Sequence, residues 1–75
     1  MRIVICGAGE VGSHAADVLV RADHSVTVID QDPDRLRPIE DSIDARTVSG
    51  NCARADVLLE AGAADAEMIV AATDH

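Results

Sequence analysis

Gly7, Gly9, Gly12 and Asp30 are the residues of this sequence whose types and spacing most readily suggest chemistry. The glycines follow the spacing G-x-G-x-x-G, and Asp30 stands 23 positions beyond Gly7. Glycines at this spacing suit a dinucleotide phosphate when they lie between a strand and a helix. The first allows a tight turn, the second lets a pyrophosphate approach the backbone, and the third brings the helix close to the strand. The helix that follows offers unpaired N–H groups and the positive end of its dipole. Ala8 and Glu10 complete the turn, and Val11 opens the helix, so the candidate phosphate site runs from Gly7 to Gly12. A carboxylate about 20 residues further on accepts hydrogen bonds from ribose hydroxyls. Asp30 fits that offset, and its charge would repel a 2′-phosphate, which favours NAD(H) or another adenosine nucleotide over NADP.

The remaining candidates are read two ways. Gln31 and Asp32 adjoin the ribose carboxylate, and Asp32 also suits the N-cap of the helix that begins at Pro33. Arg35 can reach the adenosine region or pair with a neighbouring acid. Asn51 can meet an adenine edge or serve as a turn residue beside Gly50. Thr73 can contact a phosphate or the second ribose, or simply end a strand. His14 lies near the phosphate end of its helix and reads as a solvated side chain. No catalytic set emerges, because there is no Lys or Tyr and no local Ser/His/acid pattern. The cysteines and histidines lack metal-ligand spacing. Cys6 and Cys52 stand far apart in unrelated contexts and are expected as reduced thiols.

The elements that must position these residues alternate. A short apolar strand is predicted at 2–6 and a helix at about 11–22, with Val11, Ala15, Val18, Leu19 and Ala22 facing the sheet. Asp23 and His24 turn into a second strand at 25–30, with Val26, Val28 and Ile29 buried. A second helix starts after Asp32 and ends near Ser42, kinked or cut short by Pro38. A third strand at 44–48 leads to the loop 49–52. A third helix at 55–61 turns Val57, Leu58 and Ala61 inward and stops at Gly62. A fourth, buried strand follows at 68–72. This is an α/β chain, and the alternation implies a Rossmann-like parallel sheet in the order 3-2-1-4, with the phosphate crevice where the order reverses.

Length and charge narrow the classes further. The 75 residues contain no aromatic side chain, so the core must be built from Val, Ile, Leu, Ala and Met, and independent stability should be low. Fourteen acids face six bases, all Arg, for a formal net charge of −8. That balance excludes a nucleic-acid surface and an anionic-membrane surface. No stretch is long and apolar enough for direct membrane insertion, and no export signal opens the chain, which points to the cytoplasm. Ten Asp against four Glu, with Lys absent, match a halophilic profile in which concentrated salt screens self-repulsion.

Residues 7–12, the run Val26–Asp32 with Arg35 after it, Val48–Asn51, Asp56–Glu67 and the ending Val70–Asp74 together resemble the N-terminal nucleotide-binding domain of the TrkA family, also called KTN or RCK domains. The resemblance covers nearly the whole chain, and Glu60–Glu67 is its most specific part. It implies a regulatory subunit of a potassium uptake system or a channel gating-ring module, which binds NAD(H), or ATP or ADP, without converting it. The implied partner is a membrane transporter or channel subunit at the inner face of the cell membrane, and the implied assembly is a homo-oligomer, a dimer or larger. By the same resemblance Gly7, Gly9 and Gly12 take the phosphates and Asp30 the ribose, Asn51 and Cys52 stand in the adenine-side loop, and Thr73 in the loop after the fourth strand. Three departures stand out: Asn-Cys-Ala after Gly50 where Asp-Ala-Thr is frequent, Pro38 within the second helix, and an end after the fourth strand where the family continues. Residues 1–75 then form the N-terminal part of a single domain, truncated after the fourth strand. The rival class is the cofactor-binding half of an NAD-dependent dehydrogenase, and a third is an interaction domain with no ligand.

Overall fold

The computed structural model describes residues 1–72. Four strands, β1 (Arg2–Cys6), β2 (Ser25–Asp30), β3 (Arg46–Ser49) and β4 (Met68–Ala71), form one sheet in the order β3-β2-β1-β4. All three pairings are parallel, with Cys6 level with Ile29 and Ile29 level with Val48. The connections are α1 (Glu10–Arg21), α2 (Pro33–Ser42) and α3 (Ala55–Glu60), with a 3₁₀ turn at Ala63–Asp65 before β4.

Side-chain alternation sorts the strands into two faces. Ile3 and Ile5 of β1 join Val26 and Val28 of β2 in a core with Ala16 of α1 and with Leu36 and Ile39 of α2. Val4 and Cys6 point the other way, to Ile29, Val48 and Ala61, where Val57 and Leu58 of α3 pack. Both faces of the central strands are covered, as a parallel sheet requires. Apart from Cys6 the core is aliphatic, and it contains no methionine. Met1 and Met68 are exposed, so the expected contribution of Met is absent among the described residues.

Three local expectations need correction. The inward face of α1 is Gly12 and Ala16, with Ala15, Leu19 and Val20 packed beside them, whereas Val11 and Val18 are exposed. The cause is Gly12, where a Cβ would overlap the Gly7 carbonyl oxygen. That contact turns residue 12 toward the sheet, and 16, 19 and 20 follow at helical spacing. The second concerns α2, which runs from Pro33 to Ser42 and so ends where expected, but continues through Pro38 rather than stopping there. Pro38 removes one helical bond, but Pro33 in the first turn and Asp32 as N-cap set the start, and Leu36 and Ile39 anchor the inner face. The third is β4, whose residues are exposed apart from the half-buried Val70. It forms the outer strand next to β1, so its apolar run reads as buried in sequence but has one paired edge only.

The helix ends follow from backbone chemistry. The Asp23 N–H donates to the Val20 carbonyl and the His24 N–H to the Leu19 carbonyl, with Asp23 at φ 68°, which closes α1 in a Schellman motif without a glycine. Gly62 closes α3 at φ 86°, as predicted.

Candidate functional site

Parallel strands bring the ends of β1, β2 and β3 to one edge of the sheet. There a cleft of about 450 Å³ opens, within the usual range for small-molecule sites. Gly7 and Gly9 line it, together with Asp30, Gln31 and Arg35 and, from the loop after β3, Asn51 and Cys52. Ala72, which follows β4, also lines it, so the cleft reaches the point where the strand order reverses.

The glycine turn is built from the strand outward. The Gly7 N–H donates to the Ile29 carbonyl at 2.8 Å, which carries the β1–β2 pairing one step past Cys6. Gly7 itself has φ 113°, a conformation that disfavours any side chain. The Ser13 hydroxyl donates to the Ala8 carbonyl at 3.1 Å and holds the turn against α1. Gly9 has φ −73° and ψ −164°, torsions open to most residues. A Cβ at Gly9 would therefore act through the space it occupies on the cleft wall. Gly9 is also the N-cap of α1, and no side chain caps this end. Its first-turn N–H groups are left to find acceptors outside the helix.

Asp30 fastens the middle of the cleft. Its Oδ2 accepts the Ala8 N–H at 2.8 Å, and its Oδ1 accepts the Asp32 N–H at 2.8 Å. The carboxylate thus ties the glycine turn to the start of α2. An ionised carboxylate has about four lone-pair sites, so two of them remain available to hydroxyl donors. Asp32 does not line the cleft. It caps α2, with its Oδ1 accepting the Asp34 N–H at 2.9 Å, and the capping reading of its sequence is the one realised. Gln31 and Arg35 do line the cleft, and Arg35 supplies a cationic guanidinium to its wall.

The loop after β3 also lines the cleft. The Gly50 N–H donates to the Asp30 carbonyl at 3.0 Å, and a Cβ at Gly50 would come within 2.9 Å of Val57. The Asn51 side-chain oxygen accepts the Ala53 N–H at 2.9 Å, an Asx turn that shapes the loop. The amide nitrogen of Asn51 takes no part in that turn.

Cys52 is joined to Cys6 by a disulfide, with 6.0 Å between their Cα atoms. The expectation of two separate reduced thiols is corrected here. The two lie 46 residues apart in sequence, but alternation along β1 turns Cys6 to the α3 face, and the β3–α3 loop brings Cys52 to that same face. The parity of Cys6 with Val4 was the available signal, and separation along the chain obscured it.

Other sequence candidates fall elsewhere. Ala8 is buried and acts through its N–H, and Gly12 is buried under the turn. Glu10, Val11 and His14 are exposed on α1 and do not line the cleft. Thr73 lies outside the described residues. Cys6, Gly50, Ala53 and Ala72 line the cleft without having been singled out as ligand residues. Their small side chains carry no signal of their own, and only the sheet order places them. Among the described residues no cluster of His, Cys, Asp or Glu could hold a metal, and no helix is long and apolar enough to cross a membrane.

Comparison with known proteins gives concordant results. The family model described as TrkA-N domain matches residues 3–75. Two proteins named Trk system potassium uptake protein TrkA, from Vibrio alginolyticus and Halomonas elongata, are 47% and 45% identical over 74 residues. Each match covers 99% of this chain and 16% of the relative. A protein from Archaeoglobus fulgidus named as a TrkA homolog is 41% identical over 75 residues and is covered to 17%. The chain thus spans about one sixth of the length of these relatives. A solved structure described as the Shewanella denitrificans Kef CTD in AMP bound form superposes with a TM-score of 0.82 at 28% identity, covering all of this chain and 44% of the other.

Proposed function

This chain belongs to the TrkA-N domain family, and from that premise we propose that it is an adenine-nucleotide-binding regulatory module of a potassium uptake transporter or channel. It forms the N-terminal part of a single nucleotide-binding domain, and it senses its ligand without turning it over. The observation that carries the reading is the Asp30 carboxylate, set between the glycine turn and the β3–α3 loop with lone pairs to spare. The phosphates rest on Gly7, Gly9 and the open end of α1, with Arg35 adding positive charge. The ribose hydroxyls donate to Asp30, and the adenine lies toward Asn51 and Cys52. NAD(H) is the first ligand on this reading, because Asp30 repels a 2′-phosphate, and ATP, ADP and AMP share the adenosine part. The AMP named for the Kef structure supports the adenosine assignment. The potassium uptake named for the relatives supports a membrane transporter or channel subunit as partner, at the inner face of the cell membrane. The chain acts there as part of a homo-oligomer.

A thermal-shift panel of AMP, ADP, ATP, NAD, NADH and NADPH tests the proposal. A ligand at 100 times its Kd adds about 2.7 kcal/mol to native stability, and the adenine nucleotides without a 2′-phosphate should raise Tm while NADPH does so least. Gly9→Val should abolish the response by placing a branched Cβ on the phosphate wall. A panel without any shift, or a Gly9→Val variant that folds and responds like the parent chain, would refute the site.

A further inference from the structure

The Cys6–Cys52 bond crosses the wall of the cleft, and both cysteines line it. Cys6 ends β1 directly before the glycine turn, and Cys52 belongs to the irregular segment between β3 and α3. The end of β1 and the β3–α3 loop are therefore joined covalently. Cys6 is 8% exposed and lies in the α3-face core, whereas Cys52 is only half-buried. A small thiol or disulfide can reach Cys52 first, and access decides which sulfur enters exchange.

We propose that Cys6 and Cys52 form a redox latch that sets nucleotide affinity by fixing the β3–α3 loop against the end of β1. The proposal rests on the nucleotide-binding reading of the cleft. In the bonded state the loop is held by the sulfur bridge together with the Gly50 N–H to the Asp30 carbonyl and the packing of Val57 at Gly50. In the dithiol state the last two restraints remain, but segment 51–53 is free of the first. Ordering that segment again on binding costs conformational entropy, so the open form binds nucleotide more weakly without losing the site. The co-reactant is a low-molecular-weight disulfide. The Cys52 thiolate attacks it and releases one small thiol, leaving a mixed disulfide. The Cys6 thiolate then displaces the second small thiol and forms the Cys6–Cys52 bond. Two protein thiols are oxidised, one small disulfide is reduced to two thiols, and the two protons go to the leaving thiolates. An excess of a small dithiol runs the sequence backwards.

The test is calorimetric titration of the full chain with AMP and with NADH, after equilibration with 2-hydroxyethyl disulfide or with dithiothreitol. Mass spectrometry reports the two added hydrogens of the dithiol state, and circular dichroism reports the fold. The expected result is affinity about tenfold weaker in the reduced chain, with native circular dichroism, and no redox response in Cys6→Ala/Cys52→Ala. Equal affinity in two chemically distinct states overturns the latch and leaves the nucleotide site standing. Failure of dithiothreitol to add two hydrogens, or of 2-hydroxyethyl disulfide to remove them again from the reduced chain, overturns it too. Unfolding of the chain on reduction, or a double variant that does not fold, makes the bond a structural staple and also overturns the latch. Absence of binding in both states refutes the nucleotide reading itself, and the latch with it.

Discussion

Gly62 and Gly12 separate the two reasons a glycine is required. At Gly62 a Cβ meets nothing within 4 Å, and the constraint is φ 86° alone. Gly62→Ala should therefore destabilise by about 1–2 kcal/mol, the cost of a left-handed L-residue, read as a shift in the urea midpoint at constant slope. At Gly12 the added methyl group would overlap the Gly7 carbonyl. Gly12→Ala must move α1 or deform the turn, and a loss of more than about 2 kcal/mol is expected together with lost nucleotide response. Asp30 serves two purposes, since it holds Ala8 and Asp32 and faces the cleft. Asp30→Ala should weaken NADH binding by about 1–3 kcal/mol, the scale of charge-assisted hydrogen bonds, and narrow the preference over NADPH. Unchanged affinity in competition titrations would remove Asp30 from the site. The glycines and Asp30 were legible in sequence because their chemistry depends on type and spacing. The backbone donors that Asp30 accepts were not, since an N–H has no residue type to betray it.

At the scale of elements, the strands and helices were legible from periodicity and caps, and the helix faces were less so. Apolarity alone favoured Val11 and Val18 as the inner stripe of α1, but the steric demand at Gly12 rotates the helix and leaves both exposed. Val18→Ser should accordingly change stability by no more than about 0.5 kcal/mol. Ala16→Leu, forced into a site that is 0% exposed, should cost about 1–3 kcal/mol by overpacking. Chemical denaturation of both variants checks the assignment of the face, and a larger loss for Val18→Ser than for Ala16→Leu would reverse it. The burial of β4 was misread for a related reason. An apolar run signals a strand, but whether a neighbour covers its outer edge is a property of the sheet order.

For the whole molecule, alternation of elements is enough to give the parallel sheet, the glycine motif selects the strand order, and the order in turn gathers residues from four separate stretches into one cleft. Charge also acts at this scale. With a net charge of −8 and no Lys, self-repulsion should loosen the chain at low ionic strength, where screening reaches about 30 Å at 0.01 M against about 3 Å at 1 M. Helical circular dichroism should rise across a KCl series, and light scattering should rise with it as Met68 and Ile69 on the outer strand pair between copies. A chain folded and monomeric at both ends of the series would contradict this. The central claim concerns the cleft, and at 7.8 kDa the chain suits amide-resolved nuclear magnetic resonance. Nitrogen–proton correlation spectra titrated with AMP test the claim most directly. Saturable shifts should concentrate at Gly7–Gly12, Asp30–Asp32 and Gly50–Ala53, and shifts scattered over the surface, or none at saturating AMP, would contradict the assignment.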